Sequence, residues 1–154
     1  MINEANGVPS HAEMVKLVAR YHHAHGMTVA TEYTLPNGKR ADVVHTTEGG
    51  IIHITEVKRI GRPYLLTNAF GKYHDHCHYL WLALPEGDRT LDPRYMNFMS
   101  WTSHEDRIGL ARVTWLGLEI VRPAQLLHAE PLNARLTVSR LRSTVAGGEL
   151  AGVT

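Results

Sequence analysis

The chain has 154 residues, of which 44% are apolar and 20% are charged, a composition typical of one globular domain with its own core. The formal net charge of +1 excludes a basic field over the whole molecule, so any binding of nucleic acid must rely on local patches. The single cysteine excludes an internal disulfide framework and favours a reducing compartment.

The N-terminal segment, residues 1–9, is polar and contains Gly and Pro, and we predict a flexible lead-in. It has no basic region followed by an apolar run, so no signal peptide is expected, and we predict a cytoplasmic protein. No apolar run reaches the ~18–20 residues that cross a bilayer, so no membrane partner is expected.

The first predicted element is a helix that begins after Ser10. Ser10 and Glu13 have the spacing of a capping box, apolar residues follow at helical spacing, and Gly26 ends the pattern. The run 27–35 alternates and is rich in β-formers, which predicts a strand. Residues 36–39, PNGK, then predict a turn.

The segment from Arg40 to Lys58 predicts two strands joined by a tight glycine turn. If Thr47 faces Ile51 across that turn, the numbers of facing residues sum to 98, and Asp42 stands opposite Glu56. Side chains alternate faces with a period of two, so Asp42, Glu56 and Lys58 share one face.

This pairing of acids suggests a metal site. Directly opposed side chains are about 4.5–5.5 Å apart at Cβ, so two carboxylates there repel each other unless a cation or a proton lies between them. Carboxylate oxygens are the ligands that hard divalent metals prefer. Asp42 and Glu56 are therefore candidate metal ligands, and Lys58 is placed to orient water or to stabilise developing charge.

The second half of the chain predicts a helix after Pro63 and then a buried strand, which suggests a crossover and a parallel pairing. Residues 86–106 are read as a long loop or a short helix. A second hairpin over 108–121 and a helix over 131–145 follow. We thus predict an α/β fold with the order α-β-β-β-α-β, then a β-hairpin and a C-terminal helix. It forms a single domain over 10–146, with a flexible tail over 147–154.

The motifs resemble those of a known nuclease superfamily. Asp42 followed by Glu56-Val57-Lys58 is similar to the core of the PD-(D/E)XK superfamily. The longer text resembles the MmcB-like family of predicted DNA-repair proteins in three stretches, which are Leu35–Val43, Ile54–Lys58 and Tyr73–Cys77 running into Leu80–Pro85.

This resemblance implies a restriction-endonuclease-like mixed sheet and a Mg²⁺- or Mn²⁺-dependent nuclease that acts on DNA in repair or recombination. It assigns Asp42 and Glu56 as metal-binding acids and Lys58 as the catalytic lysine. Superfamily members often add an acid from the first helix, for which Glu13 is the candidate, although Glu13 also fits the capping box.

Further site residues follow from the resemblance and from position. Glu32 matches a family acid before the Leu-Pro-Asn-Gly turn and is a candidate ligand or supporting residue. Asp75 and His74 are candidates for supporting roles. Four basic residues near the predicted site are candidate phosphate contacts: Arg40, Arg59, Arg62 and Lys72.

The eleven histidines raise the alternative of zinc. His74 and His78 are four residues apart with Cys77 between them, but zinc takes about four N or S ligands, and no CxxC or HExxH pattern occurs. We therefore favour packing roles for these histidines.

Two alternatives to a simple nuclease remain. A Holliday-junction-resolvase-like nuclease would act as a homodimer that places two sites on two strands. A catalytically silent nucleic-acid-binding or protein-interaction module would keep the fold and lose the metal.

Overall fold

The computed structural model describes residues 7–146 and has the predicted element order. The helices are α1 (His11–Ala24), α2 (Leu65–Tyr73) and α3 (Ala134–Ala146). The strands are β1 (Thr28–Thr34), β2 (Arg40–Thr46), β3 (Ile52–Val57), β4 (Tyr79–Pro85), β5 (Gly109–Thr114) and β6 (Gly117–Arg122). The predicted flexible tail, 147–154, and the first six residues of the predicted lead-in lie outside the described residues.

The strands form one mixed sheet in the order β1-β2-β3-β4-β5-β6. Both hairpins are antiparallel, as is the β1–β2 pair, whereas β3–β4 and β4–β5 are parallel. The predicted crossover from β3 to β4 is confirmed, and α2 makes that connection. The six-stranded open sheet with flanking helices confirms the predicted α/β class and is consistent with a restriction-endonuclease-like fold.

Helices cover the sheet on both faces and create two cores. On one face, apolar residues of α1 pack on small and β-branched strand residues, which lets the helix approach closely. This core comprises Met14, Val15, Val18, Ala19, Val29, Val43, Val57, Ala83, Ala111 and Val113. The opposite face carries larger side chains, such as Ile54, Leu82 and Leu110, and packs against α2 and Leu141 of α3.

The hairpin between β2 and β3 has the predicted register. Val43 faces Thr55, and Thr46 faces Ile52, so paired numbers sum to 98. The turn is closed by a 3.0 Å hydrogen bond from the Thr47 N–H to the Ile51 carbonyl. One further step along the ladder places Asp42 opposite Glu56, at the end of the hairpin away from the turn.

The segment between β4 and β5, predicted as a long loop or a short helix, combines both. It contains short 3₁₀-helices at Arg89–Leu91, Met96–Met99 and Ser103–Arg107. Leu91 and Met99 are buried in the core on the α2 face. The aromatic side chains of this segment remain outside, with Trp101 at 72% exposure.

The histidines opposite each other on the hairpin belong to a stack of rings. The rings of His22 and His45 are 3.6 Å apart at their centroids, and those of His45 and His53 are 5.1 Å apart. The His45 Nε2 lies 2.9 Å from the Thr55 hydroxyl, and the Trp81 indole N–H donates to His53 over 3.0 Å. These contacts are packing and hydrogen bonding, as the sequence favoured.

None of the helices in the described part of the chain is both long enough and apolar enough to cross a bilayer. Residues 7–9, at the end of the predicted lead-in, are tied to the domain. Pro9 is buried, and its carbonyl accepts a 3.0 Å hydrogen bond from the Arg59 side chain.

Candidate functional site

Asp42 lies where β2 and β3 begin to separate, and its two carboxylate oxygens have different partners. One oxygen, Oδ2, accepts a 2.8 Å hydrogen bond from the backbone N–H of Val57. The other, Oδ1, is 3.3 Å from Nε2 of His11. The side chain is 14% exposed, so it is shielded on most sides but still reachable from solvent. Asp42 therefore has a fixed orientation and one oxygen that faces outward.

The outward oxygen of Asp42 belongs to a group with the geometry of a metal site. One ligand atom each of His11, Glu32 and Asp42 lies within 4.8 Å of the other two. Within residues 7–146, this is the group of His, Cys, Asp and Glu side chains whose donor atoms come close enough to share an ion. Two carboxylates and an imidazole suit a divalent ion that accepts both oxygen and nitrogen donors.

Glu32 reaches this group through an irregularity in β1. Its neighbours Thr31 and Tyr33 pair with Val43 and Ala41, so Glu32 lies opposite Asp42 but outside the regular ladder. Its φ of 51° is in the left-handed region, which a residue with a side chain rarely adopts. Its carboxylate also forms a 2.9 Å ion pair with Arg40. The backbone thus turns this acid toward Asp42, while a cation already balances part of its charge.

The helix that contributes His11 also carries Glu13, and the two have different roles. Glu13 accepts a 2.9 Å hydrogen bond from the Ser10 N–H, and the Ser10 hydroxyl accepts one of 3.1 Å from the Glu13 N–H. These bonds confirm the capping box, and they lower the pKa of the Glu13 carboxyl. The metal-ligand role of Glu13 stays a prediction, and His11 takes the place in the group that the sequence offered to Glu13.

Glu56 is the buried acid of the site, at 5% exposure. Burial, the hydrogen bond with Asp42 and the charge of that carboxylate together raise its pKa to about 7, against the opposing charges of Lys58 and Lys72. The structure thus brings Asp42 and Glu56 together as predicted. Near neutral pH the Glu56 carboxyl is therefore partly protonated, which weakens its repulsion with Asp42.

Two lysines stand beside Glu56 at a cleft of about 420 Å³. The Lys72 ammonium is 3.6 Å from the Glu56 carboxylate, and its side chain is 45% exposed. The cleft is lined by residues of β3, α2 and the β1–β2 turn, namely Lys39, Glu56, Lys58, Leu65, Thr67, Asn68, Ala69, Gly71 and Lys72. Lys58 is therefore on the same side as Glu56, as the alternation of the strand predicted.

Tyr73, the last residue of α2, lies beside Glu56. Its hydroxyl donates a 2.8 Å hydrogen bond to the Arg40 carbonyl and lies 3.4 and 3.5 Å from the two Glu56 oxygens. Burial raises the pKa of this phenol above its ordinary value, so it stays protonated and keeps its hydrogen bond to the Arg40 carbonyl beside Glu56.

The four predicted phosphate contacts differ in their surroundings. Arg40 is paired with Glu32, and Arg59 holds the backbone of Val8 and Pro9. Lys72 lies at the cleft, and Arg62 is exposed on the loop after β3. Arg40 and Lys72 remain partly exposed although each pairs with an acid, and Arg62 is exposed, so these three can present charge to an approaching ligand.

The predicted supporting residues His74 and Asp75 form a pair of their own. Their side chains are 3.1 Å apart, and the ring of His74 stacks on that of Phe70 at 4.5 Å. The Asp75 carbonyl accepts a hydrogen bond from Leu132. The two residues thus contact each other, Phe70 and Leu132 rather than Asp42 or Glu56.

The sequence reading did not identify His11, Lys39 or Tyr73 as site residues. His11 follows the cap Ser10 directly, and nothing local distinguishes it from the other histidines. Tyr73 lies in the core, but its hydroxyl reaches Glu56. A tyrosine on the helix after Lys58, directly following Lys72, was the available signal.

Residues 4–92 match the family described as DNA repair protein MmcB-like. The match contains β1 to β4, and with them every residue of the site. The chain belongs to the MmcB-like family. The resemblance to the MmcB-like family is therefore confirmed, and the family description indicates a role in DNA repair.

One solved structure, "SPO1766 protein of unknown function from Silicibacter pomeroyi", is similar to this family member over most of its length. The two share 21% sequence identity, the match covers 92% of this chain and 88% of that chain, and the TM-score is 0.67. At this identity the likeness shows the fold alone. No curated protein matches the sequence.

Proposed function

We propose that this MmcB-like protein is a metal-dependent nuclease that hydrolyses phosphodiester bonds in DNA. The observation that carries the proposal is the position of Asp42. One of its oxygens completes a three-ligand group with His11 and Glu32, and the residue also contacts buried Glu56 beside two lysines. Metal ligands, a proton acceptor and cations in one place are what phosphodiester hydrolysis requires.

The donor set fits a divalent ion such as Mn²⁺ or Mg²⁺. Mg²⁺ prefers oxygen ligands, whereas Mn²⁺ accepts the imidazole of His11 more readily. When bound, such an ion polarises the scissile phosphate and lowers the pKa of a water molecule. Its charge would also favour the ionised form of Glu56, whose pKa is otherwise raised.

Glu56 is suited to move a proton. With a pKa of about 7, its carboxyl can accept a proton from an attacking water near neutral pH. The Tyr73 hydroxyl, 3.4 Å away, restricts the carboxylate and leaves it facing the cleft.

The lysines are suited to the phosphate. Lys58 and Lys72 line the same cleft as Glu56, and their ammonium groups would balance the charge that builds up on phosphate oxygens in the transition state. Lys39, which also lines the cleft, and Arg62 on the loop after β3 extend the cationic surface for the DNA backbone.

A nuclease panel tests the proposal directly. Plasmid, single-stranded DNA, branched DNA and RNA are incubated with the protein and Mg²⁺ or Mn²⁺, and products are separated on gels. We expect metal-dependent DNA cleavage that is lost in Asp42→Asn, Glu56→Gln and Lys58→Ala. Glu119→Gln is the matched control, because Glu119 is an exposed acid on β6 paired with Arg112.

The outcomes separate the candidate functions. Cleavage that survives in Asp42→Asn would overturn the proposed site. Absence of cleavage together with absence of Mn²⁺ binding by calorimetry would favour a silent binding module. Selective cleavage of four-way junctions by a dimer would favour the resolvase-like alternative.

A further inference from the structure

An exposed aromatic surface lies next to the cleft and has no part in the proposed chemistry. We name it the aromatic platform, and it consists of Tyr64, Phe98 and Trp101. Trp101 is 72% exposed, Phe98 46% and Tyr64 45%. The rings of Tyr64 and Trp101 are 5.6 Å apart at their centroids. Large aromatic side chains exposed together in this way mark a binding surface.

We propose that the aromatic platform binds unpaired bases of a DNA strand that enters the cleft, so that the substrate is single-stranded, flapped or frayed DNA rather than intact duplex. This inference rests on the proposed nuclease function, because it assigns the substrate class of that same site. Aromatic rings stack on any base whose face is free, whereas bases within a duplex are already stacked on each other.

The backbone of the platform is fixed by polar contacts that lead to one buried acid, Glu105. The backbone N–H of Trp101 donates a 2.8 Å hydrogen bond to the Thr67 hydroxyl, and that hydroxyl donates over 2.8 Å to the Glu105 carboxylate. Glu105 is 2% exposed and also accepts from the Thr102 hydroxyl. A buried carboxylate whose partners all belong to this corner fixes the backbone that presents the indole.

Tyr64 is fixed in a different way. Its N–H donates to the Phe98 carbonyl over 3.2 Å, which ties the start of α2 to the segment that carries the other two rings. Its φ of 61° is a left-handed conformation that is unfavourable for a residue with a side chain. Such strain persists where the surrounding structure imposes it, and here it accompanies an exposed ring.

The platform continues into the cleft. Thr67, which carries the Trp101 backbone, and Asn68, whose N–H bonds the Tyr64 carbonyl over 2.9 Å, both line the cleft with Glu56 and Lys58. A strand whose phosphates lie at the lysines would thus bring its next bases to the rings.

Charge favours a nucleic acid over an apolar protein segment as the occupant. Arg62 is exposed two residues before Tyr64, and the guanidinium of Arg89 lies 5.6 Å above the ring of nearby Tyr95. Lys58 and Lys72 lie in the cleft that Thr67 and Asn68 also line, so the cations and the rings belong to one continuous surface. Basic grooves interleaved with aromatic side chains are the usual form of single-strand binding surfaces.

The test measures binding without catalysis. Fluorescently labelled oligothymidylate of about twenty nucleotides, long enough for several bases to reach the rings, is titrated with the full chain in EDTA and followed by anisotropy. The same strand annealed to oligoadenylate serves as the duplex probe. The variants are Trp101→Ala and Tyr64→Ala, with Leu116→Ala as the control, because Leu116 is 92% exposed in the β5–β6 turn.

We expect the wild type to bind the single strand more tightly than the duplex. Each platform variant should weaken single-strand binding roughly 5- to 150-fold, the range for loss of one stacked base, and change duplex binding little. Leu116→Ala should bind as the wild type does, and all variants should keep the wild-type melting temperature, since these side chains are exposed.

The proposal is overturned if the wild type fails to bind the single strand, or if both platform variants bind it as the wild type does. The second result would indicate a protein partner for these rings. Because the titration contains no metal, its outcome is independent of cleavage. A nuclease whose DNA binding is unaffected by the platform substitutions can therefore be distinguished from a protein that binds DNA without cleaving it.

Discussion

The carboxylate of Asp42 accepts a 2.8 Å hydrogen bond from the backbone N–H of Val57, the residue that follows Glu56 on the neighbouring strand. This bond fixes one oxygen of Asp42 and turns the other toward His11. At this end of the hairpin, Asp42 therefore connects the candidate metal ligands to the strand that carries the buried acid Glu56.

The Asp42→Asn variant should lose activity without losing its fold. The amide oxygen of Asn can still accept from Val57, and removal of the negative charge relieves Glu56 of a repulsion that raises its pKa. We expect cleavage to fall by at least about 100-fold, because loss of a residue that only orients a metal ligand already costs roughly 10- to 100-fold. The melting temperature should be unchanged or higher. A melting temperature that falls steeply would mean that Asp42 is chiefly structural.

Substitutions at two neighbouring helix positions should decide which residue of α1 is the metal ligand. His11→Ala should weaken Mn²⁺ binding in calorimetry by about 10-fold or more, because it removes one of three donors. Glu13→Gln is the matched change, since glutamine preserves the capping box and removes only the charge. It should bind Mn²⁺ as the wild type does. A weaker Mn²⁺ affinity in Glu13→Gln with wild-type affinity in His11→Ala would reverse the assignment.

Glu56 should make the metal-free protein less stable as the pH rises. The folded carboxyl titrates at about 7, against the ordinary 4.5, so between these values the unfolded chain releases a proton that the folded chain keeps. The free energy of unfolding therefore falls across this window and stays lowered above it. Glu56→Gln removes this effect and should stabilise the protein by about 1–3 kcal/mol at about pH 8.

Thermal melts in chelator at alkaline pH and near the ordinary pKa of a carboxyl test this point. The gain in melting temperature in Glu56→Gln should shrink as the pH is lowered. An equal gain at both values would show that packing, rather than ionisation, is responsible.

The histidine stack should make the protein acid-sensitive. Burial lowers the pKa of His22 to about 3 and that of His53 to about 4, and it holds His45 well below its ordinary value. As the pH falls below 6.5, the unfolded chain gains protons that the folded chain cannot accept, so the free energy of unfolding decreases.

The His53→Gln variant should lose less stability in acid. Its glutamine can still accept from the Trp81 indole, and about 2 kcal/mol of the loss at about pH 5 should disappear. Urea unfolding at neutral and acidic pH measures the difference, with exposed His23→Gln as the control. If both variants respond to acid as the wild type does, the stack is not the acid-sensitive element.

The register of the central hairpin could be predicted because two local signals agree. A glycine turn fixes the loop length and so the pairing, and the period of two along each strand then fixes which side chains share a face. Once Val43 faces Thr55, the approach of Asp42 to Glu56 follows from the geometry of strands. The crossover through α2 could also be predicted, because the apolar run of β4 is typical of a strand buried on both faces and a helix separates it from β3.

The parts that could not be predicted depend on contacts distant in sequence. His11 reaches Asp42 only because α1 packs across the sheet and begins at that end of β2, which no local pattern encodes. The segment between β4 and β5 lacks a regular period, and its course is set by the burial of Leu91 and Met99. Pro63 suggested where α2 begins, yet the helix starts at Leu65 after the left-handed Tyr64.

The sequential order of the strands bears on how quickly the chain reaches its native state. Every strand pairs with its neighbour in the sequence, so most pairings close short loops and cost little chain entropy. The two parallel pairs are the exceptions, because residues 58–78 and 86–108 must first settle between their strands, and the connection from β4 to β5 is the longer of the two. We expect this parallel pairing to be the slowest step in stopped-flow refolding. Substitution of Leu110 by Ala should then slow refolding more than the same substitution of Ile52 in the first hairpin.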